Sequence, residues 1–256
     1  MSRVEEFKEL HYKKKPLLIG NVWDATSASL FEEMNYKAIG TSSAAVATTL
    51  GHEDGEQITF EQLNTIVKSI LTQVSIPLTV DIEAGYSRNI DKVLENIALL
   101  AQEGVVGINF EDSIVENGNR VILDPQQFSE TIKSIKQRLM AKGVDIFLNV
   151  RTDPYILGLD NPLDDSIARA KLYEAAGADG IFVPCVVEED DINTLTSSIS
   201  LPVNVMAMPT LPSFSSLEKN GIKRISMGPF LHAKQDEDQR DLLKAIEKDQ
   251  SFSCLF

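Results

Sequence analysis

The segment IDKVLENIALLAQEGVVGINFE, residues 90–111, places a helical pattern directly before a short apolar strand. Its apolar residues recur at intervals of three and four, which predicts a helix with one buried face. They are Ile90, Val93, Leu94, Ile97, Ala98 and Ala101. Gly104 then suits a left-handed helix end, and Gly107–Glu111 is typical of a strand buried on both faces. A similar junction, AGADGI, recurs at residues 176–181. The helix-then-strand unit is therefore repeated.

Working outward from this segment, eight short apolar runs rich in Ile and Val alternate with helical patterns. They are Leu17–Gly20, Ala38–Thr41, Leu78–Asp81, Gly107–Glu111, Ile146–Arg151, Gly180–Pro184, Val203–Met206 and Arg224–Gly228. Eight such units in 256 residues favour an α/β fold, a single (β/α)8 TIM barrel. The alternative is a doubly wound open sheet, which usually carries a glycine-rich loop after its first strand. Residues 20–24 read GNVWD and contain no such loop.

The chain contains no low-complexity tract and no linker, so we expect one domain. Residues 1–256 would form a single barrel domain, with residues 1–15 an N-terminal extension and residues 229–256 a C-terminal helical tail. Apolar residues make up 43% of the chain and charged residues 24%, which is an ordinary globular balance.

The charge balance excludes several classes of partner. The chain has 24 basic and 38 acidic residues, a net charge of −14, and therefore repels nucleic acid and anionic membranes. No apolar run approaches the roughly 20 residues of a membrane span. Residues 1–15 carry no secretion signal, and Cys185 and Cys254 form no disulfide framework. We expect a reduced, cytoplasmic protein with neither a nucleic-acid nor a membrane partner.

Acidic residues follow the third and fourth predicted strands, at the end of the barrel where active sites lie. They are Asp81, Glu83 and Glu111, and Asp54 lies on a nearby loop. Carboxylates that share one mouth repel each other, and a divalent cation relieves that repulsion. Oxygen ligands without His or Cys favour Mg²⁺, with Mn²⁺ as an alternative. Asp81 is the expected direct ligand, and the other three would act through waters.

The same end of the barrel offers groups for an anion. Arg151, after the fifth strand, can grip a carboxylate through two hydrogen bonds. Thr41, Ser42 and Ser43 follow the second strand and supply hydroxyl and amide donors, and Trp23 follows the first. These residues suit a small dianionic acid. A metal beside them would polarise a 2-oxo group and stabilise an enolate.

Each of these residues also has a purely structural interpretation. Asp24 and Asp153 could be helix N-caps, and the two serines could simply open a loop. Arg151 could pair with Glu111 for stability alone. His11 is expected to be peripheral.

The quoted strand ends carry a family resemblance. In order along the chain they are Asn21 to Glu32, GTSSA at 40–44, LGHED at 50–54, VDIEAGY at 80–86, Glu111-Asp112 and VRTD at 150–153. With these motifs, from Pro16 to Phe230, the chain resembles the isocitrate lyase/phosphoenolpyruvate mutase superfamily. The resemblance implies a (β/α)8 barrel that binds Mg²⁺ and a 2-oxo acid or enolpyruvate unit. It also implies that a C–C or C–P bond next to that unit is made or broken.

The resemblance also assigns roles to individual residues. Asp81 matches the direct metal ligand of the family, and Asp54, Glu83 and Glu111 match its outer-shell acids. The stretch Thr41–Ser43 matches the part that holds the substrate carboxylate and oxo oxygen, and Arg151 matches the family arginine. Members are often tetramers with an exchanged final helix, so we expect a homo-oligomer, either a dimer or a tetramer.

The loop after Glu111-Asp112 departs from the family patterns. Lyases carry K-[KR]-C-G-H there, with the cysteine as acid/base, whereas residues 113–120 read SIVENGNR. Mutases carry a lysine directly after Glu-Asp, and Ser113 replaces it. Without gaps, Asn119 falls where lyases have the cysteine and mutases an asparagine, although Arg120 could instead match a basic residue at the end of the loop. Lyases also use a glutamate where Cys185 stands.

These observations predict a Mg²⁺-dependent lyase-type enzyme that acts on a small 2-oxo dicarboxylate or phosphonate through a pyruvate enolate. Arg151, Asn119 and Glu111 are the expected catalytic residues. Decarboxylation needs the least acid/base help, so an oxaloacetate-decarboxylase-like reaction is favoured. The alternatives are phosphoenolpyruvate mutase or phosphonopyruvate hydrolase activity, and a non-catalytic barrel that binds a carboxylate.

Overall fold

The computed structural model describes residues 2–256, and Met1 of the predicted N-terminal extension lies outside the described residues. The strands are β1 Leu17–Leu18, β2 Gly20–Val22, β3 Ile39–Thr41, β4 Leu78–Asp81, β5 Gly107–Glu111, β6 Ser113–Glu116, β7 Asn119–Ile122, β8 Phe147–Arg151, β9 Gly180–Phe182, β10 Val203–Met206 and β11 Arg224–Ser226. The helices are α1 Arg3–Leu10, α2 Ala25–Glu33, α3 Ser43–Thr49, α4 Phe60–Leu71, α5 Ile90–Glu103, α6 Pro125–Ala141, α7 Pro162–Ala176, α8 Glu189–Ser198, α9 Phe214–Lys219 and α10 Phe230–Asp249, followed by a 3₁₀ turn at Ser253–Leu255.

The sheet is a parallel barrel in the order β1-β11-β10-β9-β8-β5-β4-β3-β2. The first predicted strand is split, since β1 pairs with β11 and β2 pairs with β3. Between the two pieces, the Ile19 N–H donates to the Ile225 carbonyl at 2.8 Å. This one stretch of chain is therefore hydrogen-bonded to both edges of the sheet. The predicted (β/α)8 TIM barrel is confirmed, and an open doubly wound sheet is excluded.

The helix ends that connect to strands follow the sequence pattern. Gly104 ends α5 with φ +107° and Gly177 ends α7 with φ +100°, a conformation that costs glycine little. The segment after Asp112 differs from the prediction of a plain loop, because β6 and β7 form an antiparallel hairpin over residues 113–122. We call it the mouth hairpin, since it follows the carboxyl end of β5.

The opposite end of the barrel is covered by α1. The helix opens with a capping box between Ser2 and Glu5, and its Phe7 ring packs edge-on against Phe147 at 5.5 Å between ring centres. His11 stacks on Phe147 at 4.3 Å and is only 1% exposed. The prediction that His11 is peripheral is therefore wrong: its ring fills apolar space under the strands, and burial lowers its pKa to about 3.

The last helix, α10, runs for 20 residues and has no fully buried side chain. Apolar residues stay exposed along it and after it, with Leu243 65% and Phe252 67% accessible. One aromatic contact joins α10 to the barrel: the Trp23 ring packs edge-on against His232 of α10, with 4.8 Å between ring centres. Over residues 2–256, no helix combines the length and the apolarity that crossing a bilayer requires.

Candidate active site

Asp81 ends β4, and three polar groups fix its position. Its N–H donates to Thr41 Oγ1 at 2.8 Å, and the Ser43 hydroxyl donates to Asp81 Oδ2 at 3.3 Å. The Glu83 N–H donates to Asp81 Oδ1 at 3.1 Å. Ser42 caps α3 by accepting from the Ala45 N–H, so the two serines begin a helix beside Asp81. The second and third predicted strands thus bring five of the predicted site residues together.

Glu83 lies two residues beyond Asp81, and both of its carboxylate oxygens are occupied. Oε2 accepts from the Glu56 N–H at 2.8 Å, and Oε1 accepts from the Tyr86 hydroxyl at 3.1 Å. The Glu56 carboxylate accepts in turn from the Tyr86 N–H at 2.6 Å and from Arg88 at 2.7 Å. Glu56, Glu83 and Tyr86 all have positive φ, near +58°, +48° and +58°. This backbone is strained, and the hydrogen bonds hold it in place.

Glu111 ends β5 and lies between two arginines. Arg151 Nη1 is 3.0 Å from Glu111 Oε2, and Arg120 of the mouth hairpin makes a short contact with Glu111 Oε1. Arg151 also grips Asp153 through two hydrogen bonds, at 2.6 and 3.1 Å. Ser113 joins the group by donating to Asp153 at 2.5 Å. In this structure the arginine predicted to hold substrate is therefore paired with carboxylates of the protein.

Asp112, next to Glu111, points into a different network. Its Oδ2 accepts from the Thr152 hydroxyl at 2.6 Å, from Tyr173 at 2.8 Å and from Arg169 at 3.1 Å. Its Oδ1 accepts from the Asp153 N–H at 3.1 Å. Asp112 is fully buried and ties β5 to the loop after β8, so it supports the site without facing it.

The mouth contains several buried carboxyl groups whose surroundings disfavour ionisation. Burial raises the pKa of Asp81, raises that of Glu83 to about 9 and raises that of Glu111 to about 8, with neighbouring carboxylates adding to each shift. Burial alone would also raise the pKa of Asp153, but Arg151 and its hydrogen bonds outweigh burial and lower it. The three raised acids are the groups that a cation at this end of the barrel would stabilise.

The donor set fits a hard divalent cation. All the ligand atoms on offer are oxygens, from carboxylates at the ends of two adjacent strands and from nearby hydroxyls. Glu111 Oε2 is buried and has no well-aligned hydrogen-bond donor, although Arg151 Nη1 lies within ion-pair distance. In the part of the chain that the structure describes, no three His, Cys, Asp or Glu side chains form a close metal-binding group. A cation here would therefore need waters among its ligands.

Two of the predicted site residues do not join this cluster. Asn119 is exposed on the mouth hairpin, and its side chain donates to the Asn117 carbonyl. Trp23 is buried against His232 and makes no polar contact with the acids. Asp54 is more exposed than the other acids, and its carboxylate lies 3.6 Å from Arg120. Its charge nevertheless adds to the raised pKa of Glu83.

Sequence reasoning did not single out Arg120 or Glu56 as site residues. The sequence offers Arg120 only as an alternative match for the end of the loop. In the structure, its cross-strand pairing with Val115 directs its side chain towards Glu111. The signal for this hairpin was the Asn117-Gly118 pair, which is typical of a tight hairpin turn. Both residues have positive φ, as that turn requires.

The fold and this site define a barrel enzyme with an acid-rich mouth at the carboxyl ends of its strands. The family profile described as phosphoenolpyruvate phosphomutase matches residues 7–246, so the chain belongs to this family, within the isocitrate lyase/phosphoenolpyruvate mutase superfamily. It is a lyase-type enzyme of that superfamily.

Individual relatives support this assignment. An uncharacterized protein of Mycobacterium tuberculosis is 35% identical over 222 residues, which cover 87% of this chain and 81% of the relative. An oxaloacetate decarboxylase of Bradyrhizobium is 28% identical over 201 residues, covering 74% of this chain and 66% of the relative. A crystal structure of a candidate phosphonomutase from Burkholderia cenocepacia has 35% identity and a TM-score of 0.88, covering 94% of this chain and 99% of that one.

Proposed function

We propose that this protein is a Mg²⁺-dependent lyase that cleaves a C–C bond next to a 2-oxo acid and leaves a pyruvate enolate. The observation that carries the proposal is the buried acid cluster of Asp81, Glu83 and Glu111 beside Arg151. So many acids in one place raise each other's pKa values, and their ionised forms are favourable only beside cations. We favour decarboxylation of oxaloacetate or a close analogue.

The roles follow from the geometry. Asp81 would ligate the metal directly, and Glu83, Glu111 and Asp54 would hold its waters; Mn²⁺ is the alternative ion. The bound metal would polarise the 2-oxo group and stabilise the enolate. Thr41, Ser42 and Ser43 would place the carboxylate and the oxo oxygen at the start of α3, where helix N–H groups favour negative charge.

Arg151 would grip the substrate carboxylate. The guanidinium already binds the carboxylates of Glu111 and Asp153 at 2.6 to 3.1 Å, and this geometry supports the proposed role. A substrate carboxylate would compete with Glu111 for Arg151 Nη1. Glu111 would then lie beside the bound substrate. We therefore propose it as a catalytic residue as well as a residue that binds waters of the metal.

Decarboxylation is preferred because the mouth hairpin carries no inward carboxylate, cysteine, histidine or lysine, and its inward Arg120 is a permanently charged group paired with Glu111. Its only acidic side chain, Glu116, is exposed, and Asn119 is exposed beside it. Loss of CO₂ from a carboxylate needs no acid or base at the departing group, whereas a retro-aldol cleavage needs a base that takes the proton of the substrate hydroxyl. The Bradyrhizobium oxaloacetate decarboxylase adds a relative with this reaction in its name.

A second candidate is phosphonopyruvate hydrolysis or phosphoenolpyruvate mutase chemistry, favoured by the likeness to the candidate phosphonomutase. The third is a barrel that binds a small carboxylate without turning it over, which the missing cysteine and lysine on the loop after Asp112 motivate. A reduced, cytoplasmic setting completes the proposal, since both cysteines are free thiols. A dimer or tetramer is also part of it, and the exposed apolar residues of α10 support this.

The test is pyruvate release by the purified protein with Mg²⁺ and then with EDTA, from oxaloacetate, phosphonopyruvate and 2-methylisocitrate. Each reaction is compared with a protein-free Mg²⁺ blank, because oxaloacetate decays unaided. We expect metal-dependent turnover of oxaloacetate that Asp81→Asn reduces at least about a hundredfold. The matched control is Asp164→Asn, at an exposed position of α7. Full metal-dependent turnover in Asp81→Asn would overturn the site assignment.

A further inference from the structure

The loop Leu50–Ile58, here called the Asp54 loop, contains no helix or strand yet carries one of the proposed metal-site acids. Ile58 anchors its end in the apolar core, but its hydrogen bonds to the segment after β4 are concentrated in one residue. Glu56 donates its N–H to Glu83, and its carboxylate accepts from the Tyr86 N–H and from Arg88, at 2.8, 2.6 and 2.7 Å respectively. These three contacts join the loop to the segment after β4.

We propose that Glu56 is a positioning residue that fixes the Asp54 loop onto the end of β4 and thereby sets the direction of the Glu83 carboxylate. The inference rests on the proposed function only in giving Glu83 a role at the metal. Its geometric content, the clamp between Glu56 and residues 83–88, stands on the contacts themselves.

Hydrogen bonds to both carboxylate oxygens fix the orientation of Glu83. A glutamate carboxylate on three rotatable bonds turns freely unless its oxygens are bound, and here Glu56 and Tyr86 bind one each. Removing the Glu56 side chain frees the Tyr86 N–H and the loop backbone together. The hydrogen bond from the Glu56 N–H to Glu83 then depends on a loop that, among the described residues, no other hydrogen bond or ion pair joins to residues 83–88.

The charge of the Glu56 carboxylate is paired with Arg88. Glu56 adds another carboxylate to a mouth already rich in acids, and its charge contributes to the raised pKa of Glu83. Gln would accept the Tyr86 N–H equally well, so the acid form is explained by the pairing with Arg88 on the far side. Arg88 is about half exposed, and Glu56 is 15% exposed. The ion pair therefore lies at the rim, with the Glu56 carboxylate on its inner side.

The Asp54 loop also contacts the mouth hairpin. An added Cβ on Gly55 would lie 2.7 Å from Val115, so the loop backbone already packs directly against the hairpin. Asp54, one residue earlier, contacts Arg120 at 3.6 Å. Glu56 thus holds a loop that touches both the acid cluster and the hairpin that covers it.

The experiment uses the full chain and four variants. Glu56→Ala removes the clamp, Glu56→Gln keeps one hydrogen bond, and Arg88→Gln removes the outer ion pair. Glu53→Ala is the matched control, because it removes an acid of the same loop whose side chain is exposed and unbonded. Mg²⁺ affinity is measured by calorimetry without substrate. Amide hydrogen exchange is measured over residues 50–58 and 83–88.

We expect Glu56→Ala to weaken Mg²⁺ binding about tenfold or more. Exchange should rise in residues 50–58 and 83–88, and kcat at saturating Mg²⁺ should stay within about twofold. Glu56→Gln and Arg88→Gln should show smaller, non-additive effects, and Glu53→Ala none.

Unchanged exchange in a folded Glu56→Ala protein would overturn the clamp. Raised exchange with unchanged Mg²⁺ affinity would overturn its link to Glu83. A wild-type protein that binds no Mg²⁺ would refute the proposed function, while exchange would still decide the clamp.

Discussion

At the scale of single residues, two adjacent acids have opposite surroundings. Glu111 faces the mouth between two arginines, whereas Asp112 turns away and receives four hydrogen bonds, two from the loop after β8 and two from α7. A buried carboxylate with this many donors is a structural group, because losing its charge leaves several donors unpaired. The Glu-Asp pair thus combines one site residue with one support.

We predict that Asp112→Asn lowers the free energy of unfolding by about 2–4 kcal/mol, since the amide cannot accept all four donors and leaves Arg169 without a counter-charge. The measurement is urea unfolding followed by circular dichroism. Asp145→Asn is the control, since Asp145 forms an exposed ion pair with Lys8 at 2.8 Å. Such a pair contributes little, so its loss should cost less than about 1 kcal/mol. Equal losses in both variants would contradict the structural role of Asp112.

The sequence alone revealed only part of the site. Asp81, Glu83, Glu111 and Arg151 could be predicted because each stands at a strand end, and a parallel barrel brings all strand ends to one rim. Arg120 and Glu56 could not be placed in the same way, because their positions depend on loop geometry rather than on strand order. Trp23 also ends a strand, but its ring turned towards α10 instead.

At the scale of elements, regular periodicity predicted the barrel strands and the helix ends at Gly104 and Gly177. The strand boundaries were less exact: the first run extends to Val22 and the last ends at Ser226 rather than Gly228. Irregular segments are harder, since a hairpin of eight paired residues offers little periodicity. The position of α1 could not be predicted from the sequence. Only its packing against Phe147 shows that residues 3–11 cover the end of the barrel opposite the acids.

The α1 packing predicts a pH dependence. Burial, and secondarily the charge of Arg224, lowers the pKa of His11 from 6.5 to about 3. A group with a depressed pKa stabilises the fold fully above its unfolded pKa, and this contribution is lost as the pH falls from about 6.5 towards 3. We expect the difference in unfolding free energy between wild type and His11→Phe to shift by about 2 kcal/mol against wild type between pH 7.5 and pH 5. Parallel pH profiles in urea unfolding would contradict a buried, neutral His11.

At the scale of the whole molecule, exposed large apolar side chains are most concentrated along α10 and the residues after it. The exposed Leu243 and Phe252 are large apolar side chains on a helix and tail without a buried face. Such exposed apolar groups favour association. We therefore predict a dimer or tetramer by analytical ultracentrifugation, and a shift to monomer in the double variant Leu243→Lys, Phe252→Lys. Lys171→Ala, at an exposed position of α7, is the control. A wild type that sediments as a monomer at every concentration would contradict this.

The split first strand has a consequence for how the protein is made. Leu17 pairs with Arg224, so residues more than 200 positions apart must meet before the barrel can close. A ribosome delivers the first strand early and its partner β11 near the end of synthesis. Until then the two edges of the growing sheet present unpaired backbone groups, which are open to pairing with other chains. Closure must therefore follow translation of almost the whole chain, and chaperone dependence during synthesis is expected to fall only after Ser226 has emerged.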